Sequence, residues 1–211
     1  MSEEFVKVEP YGFWKQVNPI PMTYTEEYEK SQSTTMEMSW LRLGEFSSRV
    51  SMLFKKTPDY SKWKVCDVGS GNGTFQKEAS KVFGYACGYD VVGSSISKEE
   101  LYGTHWNAIF LTDVLEHFTD INDLFKITTD IVYLSFPECP KVDDWRELKT
   151  WRHYKPNEHL WMLNGDGVVQ WLIDNGWLSC QPSHVEDMIR RNPDVEHNIS
   201  TIVAFNKRIF E

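Results

Sequence analysis

Lys64-Val65-Cys66-Asp67-Val68-Gly69-Ser70-Gly71-Asn72-Gly73 is the stretch whose reading decides the fold. Its first half is a short apolar run, the pattern of a buried strand, and its second half sets three glycines at alternate positions. Glycine lets the main chain turn sharply and lets a ligand approach without meeting a Cβ. A helix predicted from Thr74 to just before Gly84 follows, and its first N–H groups have no partner within the helix. Working outward, Tyr85 to Tyr89 reads as a second strand ending at Asp90, and Ala108 to Thr112 as a third. Phe118 to Thr129 reads as a helix, and Ile131 to Phe136 as a strand stopped by Pro137. Gly167 to Asn175 reads as a helix closed by Gly176, and Ile199 to Phe205 as the last strand. Strands alternating with helices predict an α/β sandwich of Rossmann-like type, a mostly parallel sheet covered on both faces.

Residues 1–60 read differently from 61–211. Pro10, Pro19 and Pro21 punctuate the first stretch, and aromatics recur at Tyr11, Phe13, Trp14, Tyr24 and Tyr28. A helix is expected from about Thr25 to Phe54, with Met36, Trp40, Leu43, Phe46 and Val50 near 3.6-residue spacing and Pro58 ending it. Trp40 and its helical neighbours read as core. The segment is taken as an aromatic, helical cap, and its rings either cover the sheet edge or close over a ligand.

The chain has 211 residues, with 22 Lys+Arg against 31 Asp+Glu, a formal net charge of −9. That balance lacks the bulk positive field of duplex nucleic-acid binders. The amino terminus shows no leader pattern and no run is apolar enough to span a membrane. Cys66, Cys87, Cys139 and Cys180 are scattered, so they are expected as buried, reduced thiols of a cytoplasmic protein. Nine Trp, 9 Tyr and 12 Phe supply rings for a sizeable core and for a pocket wall.

The ligand class follows from the loop and its flanking acids. Asp90 ends the second strand, where its carboxylate would accept both hydroxyls of a ribose. A dinucleotide fingerprint needs glycine or alanine where this chain has Thr74. Asp67, inside the strand, would repel a pyrophosphate but favour the ammonium of an amino-acid tail. The loop therefore points to S-adenosylmethionine rather than to NAD or FAD.

With these residues in view, Val65 to Gly73 resembles the first motif of class I S-adenosylmethionine-dependent methyltransferases. Asp113-Val114-Leu115-Glu116-His117 is similar to a segment of their ubiquinone-biosynthesis-like branch. His153 to Trp161, followed by Asn175-Gly176-Trp177, is similar to that branch's C-terminal region, and closer still to bacterial and phage-type methyltransferases of unassigned substrate. The resemblance covers roughly 60–206. It implies that Asp67, Gly69, Gly71 and Gly73 line the methionine part, that Asp90 binds the ribose and that Val91 flanks the adenine. It sets Thr112 and Asp113 beneath the sulfonium, although Asp113 is equally a candidate helix N-cap. Only 17 residues, 91–107, separate Asp90 from the next strand. The family's third strand is thus expected to be short or missing, with Leu101-Tyr102 as its remnant.

Methyl transfer is an in-line displacement, and an acceptor hydroxyl or protonated amine also needs a base. His117, His159 and Glu116 are the candidates for that role, with Glu158 behind them; His153 reads as a surface residue. The histidines lack ligand-like spacing, so no metal is expected. No Pro-Pro-aromatic segment or Pro-Cys nucleophile stands where base-flipping enzymes of this fold carry one, which leaves a small molecule as the leading acceptor. Two rival readings keep the fold: another reaction on the same cofactor, and a binding or scaffold module without turnover.

Overall fold

The computed structural model describes residues 4–20, 22–23, 34–179, 181–191 and 198–211. A six-stranded sheet forms its centre, built from β3 (Lys64–Val68), β4 (Tyr85–Tyr89), β5 (Trp106–Thr112), β6 (Thr129–Pro137), β8 (Trp177–Ser179) and β9 (Ile199–Asn206). The order across it is β4-β3-β5-β6-β9-β8. The first four strands run parallel, and β9 pairs antiparallel with both β6 and β8. A separate antiparallel sheet joins β1 (Glu4–Val8), β2 (Phe13–Val17) and β7 (Trp161–Met162).

The period of two along the central strands assigns side chains to the two faces. Ile109 and Leu111 of β5, with Ile202 and Ala204 of β9, enter one core with Trp106, Phe13 and Trp171 of α4 (Gly165–Asp174). Ala108, Phe110, Val203 and Phe205 enter the other, where α1 (Met36–Phe54) contributes Leu43, Phe46 and Val50. Phe46 sits 4.9 Å, ring centre to ring centre, from Phe110. Thr35 caps α1 by accepting the Met38 N–H. The part of the expected helix over 25–33 lies outside the described residues, as do Tyr24, Tyr28 and Cys180. Cys66, Cys87 and Cys139 are buried free thiols.

Three readings need correction. Trp40 is 44% exposed rather than core, and its indole N–H donates to Glu78 at 2.8 Å. Phe118 to Thr129 forms no α-helix but a 3-10 turn over Ile121–Lys126. The reason is visible in the spacing, since the buried residues Ile121, Leu124 and Ile127 recur every third position, the period of a 3-10 helix. Leu101 and Tyr102 are no strand remnant; they belong to α3 (Lys98–Gly103), whose capping box pairs Ser97 with Glu100. No third parallel strand stands beside β4 among the described residues, so β4 is the sheet edge. Tyr11, Phe13 and Trp14 pack in cores and do not line the cleft described next.

Candidate active site

The chain leaves β3 for β4 on one side and returns to β5 on the other, so a crevice opens at the carboxyl ends of these strands. It is a cleft of about 680 Å³, within the range of small-molecule pockets. The glycine turn between β3 and α2 (Thr74–Ala79) makes its floor. Gly69, at φ +75°, packs so tightly that an added Cβ would stand 2.2 Å from a Val114 methyl. Tyr89 O at the end of β4 accepts the Gly69 and Ser70 N–H groups at 2.7 and 3.2 Å. Asp90 continues the clamp: Oδ2 accepts the Gly71 N–H at 2.8 Å and Oδ1 the Val91 N–H at 2.7 Å. Oδ1 also takes the Val92 N–H at 3.5 Å, which leaves Oδ2 with a further lone pair for a ligand hydroxyl.

Of the residues read from sequence, Gly69, Gly71, Asp90, Val91, Thr112, Asp113, Glu116, His117 and His159 all line this one cleft. Val91 stands at the rim, 68% exposed. Asp67 and Gly73 are not in the wall. Asp67 is buried in β3, where desolvation first, and the Asp90 charge after it, push its carboxyl up to about 7 against the pull of Arg42. Gly73, at φ +69°, is the turn residue that starts α2.

Asp113 caps no helix, since Val114 holds the N-cap position of the next 3-10 turn. Its Oδ2 instead lies 2.6 Å from Nη1 of Arg190, the residue that closes α5 (Val185–Ile189). Burial opposes ionisation of Asp113, but Arg190 outweighs it and holds the carboxyl below its usual range. Behind this pair, Glu186 accepts from Arg42 Nε at 2.7 Å and Nη2 at 2.9 Å, and from the Tyr133 hydroxyl at 3.2 Å. Sequence reasoning missed Arg42, Glu186 and Arg190. A signal for Arg42 existed: it shares the buried stripe of α1 with Ser39, Leu43, Phe46 and Val50, and an arginine on such a stripe implies a buried partner.

The opposite end of the cleft is formed by the turn after β5 and the loop before β7. The His117 and His159 rings meet edge to face at 5.0 Å. His159 Nδ1 pairs with the His153 carbonyl at 2.9 Å, which directs Nε2 inward as a lone-pair acceptor. Burial, with His117 adding to it, lowers the His159 imidazole to about 3. Burial likewise lowers His117. Burial first, and the Asp113 charge next, push the Glu116 carboxyl well above its usual range. His153 is no free surface residue; it lines the cleft and pairs with Asn198 Oδ1 at 2.7 Å.

A parallel sheet opened at its switch point, with a glycine turn and an acid on the neighbouring strand end, defines a nucleoside-binding α/β enzyme of Rossmann-like class. A family model described as a methyltransferase domain matches residues 38–178, and the chain belongs to that family. No curated protein matches it in sequence. In fold it is similar to the plantazolicin methyltransferase BpumL in complex with a monoazolic desmethylPZN analog and SAH, at 14% identity and TM-score 0.52, covering 85% of this chain and 88% of that one. The pentazolic complex of BpumL matches at 14% identity and TM-score 0.51, over 86% and 89%. The magnesium protoporphyrin IX methyltransferase of Synechocystis PCC 6803 with bound SAH gives 14% and 0.49, over 85% and 92%. The protein is an S-adenosylmethionine-dependent methyltransferase. The cleft suits that cofactor: the Gly69 and Gly71 turn lines it, and Asp90 Oδ2 has acceptor capacity to spare for a ribose hydroxyl.

Proposed function

We propose that the enzyme transfers a methyl group to an oxygen or nitrogen of a small-molecule acceptor. The observation that carries this reading is the continuity of one cleft, from the Gly69–Asp90 floor to the Glu116, His117 and His159 end. When bound, the cofactor supplies an electrophilic methyl on a sulfonium. On this reading the turn from Gly69 to Gly73, backed by Asp67, holds its amino-acid tail. Asp90 accepts from the ribose, Val91 borders the adenine, and Thr112 and Asp113 stand below the sulfur. Glu116, His117 and His159 then form the acceptor end, where a base for a hydroxyl or ammonium has to stand. His159, with Nδ1 on the His153 carbonyl, presents an accepting Nε2 at this end.

The Asp113-to-His117 and His153-to-Trp161 segments support a place in the ubiquinone-biosynthesis-like branch, near the bacterial and phage-type members. Thr34, Met38 and Arg42 border the cleft from the amino-terminal side, which supports reading residues 1–60 as its cap. BpumL was solved with azolic desmethylPZN analogs alongside SAH, so this fold has room for acceptor and spent cofactor together. The test is product analysis by mass spectrometry after incubation with S-adenosylmethionine and a panel of phenols, carboxylic acids and amines. S-adenosylhomocysteine with a methylated acceptor is expected. Methylthioadenosine or a modified cofactor in its place would overturn the reading.

A further inference from the structure

Glu116, His117 and His159 each present a ligand-type atom, and these atoms all lie within 4.8 Å of one another. Glu116 is 2% exposed, and both its carboxylate oxygens are buried without a hydrogen-bond partner among the described residues. A buried carboxylate left so is costly. Its acidic neighbours are provided for: Asp113 has Arg190 at 2.6 Å, and Glu158 has Lys155 at 2.9 Å. No lysine or arginine stands within ion-pair distance of Glu116 among the described residues. What faces it is imidazole, His117 Nε2 at 4.0 Å from Oε1.

His159 is held as a ligating histidine is held. It gives its Nδ1 proton to the His153 carbonyl at 2.9 Å, and the His117 ring packs edge to face against it at 5.0 Å. A partner on the far nitrogen that fixes the tautomer and aims the near one is the usual outer shell of a ligating histidine. From these observations we propose that Glu116, His117 and His159 form a divalent transition-metal site at the acceptor end of the cleft. Two imidazoles and one carboxylate suit an ion of borderline hardness, zinc in the first instance, and three protein ligands leave a position open. The ligand atoms stand somewhat wider than the ~3.3 Å edge of a tetrahedral zinc shell, a gap that small side-chain rotations close. Sequence spacing hides the site, because His159 lies 42 residues beyond His117 and only the loop before β7 returns it.

The site stands on these side chains alone; its use rests on the methyl-transfer reading. An acceptor hydroxyl bound at the open position loses its proton to water more readily. Its oxygen lone pair then forms the O–C bond as the S–C bond breaks and sulfur leaves as a neutral thioether. The acceptor class this selects is one with an oxygen that binds metal, a phenol, catechol or hydroxy acid.

The test is to strip the full chain with EDTA, titrate it with Co²⁺ while recording ligand-field absorption, and displace the cobalt with Zn²⁺. Calorimetry with S-adenosylhomocysteine runs in parallel. One cobalt per chain is expected, exchanged by zinc, with affinity about 100-fold lower or worse in Glu116→Gln and in His159→Gln. The exposed His105→Ala is expected to bind cobalt as the parent does. Absence of stoichiometric cobalt from the wild-type chain, or parental affinity in folded Glu116→Gln, overturns the site. Should both variants fail to fold, the wild-type stoichiometry alone decides. A chain that binds S-adenosylhomocysteine but no cobalt refutes only the metal site. One that binds cobalt but no S-adenosylhomocysteine refutes the cofactor assignment instead.

Discussion

Arg190 Nη1 stands 2.6 Å from Asp113 Oδ2 and so ties the end of α5 to the strand end that borders the cleft. The same guanidinium reaches Glu186 at 3.1 Å, and Glu186 takes both arms of Arg42. Two cations and two anions thus alternate, three of them in the wall of the cleft. Balanced this way, each charge tolerates burial; removing one leaves its neighbour uncompensated in a low dielectric. Glu186→Gln is therefore expected to lower unfolding stability by about 3–5 kcal/mol, read from urea denaturation. A loss below about 1 kcal/mol, the scale of an exposed pair, would show that the network does not anchor α1 and α5.

This network also marks where sequence reading ends. The β3 strand, its glycine turn and Asp90 were legible because their signals are local: an apolar run, three glycines, an acid at the next strand end. Arg42 and Glu186 are 144 positions apart, and no local pattern joins them. The 113–128 crossover misled for another reason. Its apolar residues satisfy a loose helical pattern, and only their three-residue step separates a 3-10 turn from an α-helix. His153 looked like a surface residue because its partner, Asn198, comes from the far end of the chain.

Gly69 offers a test of the floor. An alanine there would meet Val114 Cγ2 at 2.2 Å, and its φ of +75° is one that L side chains rarely adopt. Gly69→Ala is expected to weaken S-adenosylhomocysteine binding by about 1–3 kcal/mol, the range of an overpacked core site. Gly69→Ala with Val114→Ala should recover part of that loss, leaving the backbone strain. Isothermal titration of both proteins checks it, and no recovery in the double variant would mean that the clash is not what matters.

Asp90 does two jobs at once. It tethers the turn through the Gly71, Val91 and Val92 N–H groups and keeps one lone pair of Oδ2 for the cleft. Asp90→Ala should weaken S-adenosylhomocysteine binding by about 1–3 kcal/mol, the cost of stranding hydrogen-bonding groups. Unchanged affinity in calorimetry would remove Asp90 from the ribose site.

Asp67 is expected to make cofactor binding sensitive to pH. In the free protein desolvation, the largest cause, and Asp90 raise its carboxyl to about 7, while Arg42 pulls the other way. Near and below pH 7 much of this group is therefore protonated. A cofactor ammonium placed near it favours the carboxylate and lowers the pKa, so binding in that range must release a proton. By linkage, affinity then rises with pH up to about 7 and levels off above, where the carboxylate is already formed. Calorimetry with S-adenosylhomocysteine between pH 5.5 and 8, repeated in buffers of different ionisation enthalpy, would show proton release below the plateau and almost none on it. In Asp67→Asn the release should vanish and the affinity profile should flatten. A pH-independent affinity in the wild type, or a slope of opposite sign, would exclude Asp67 from the electrostatics of the amino-acid tail.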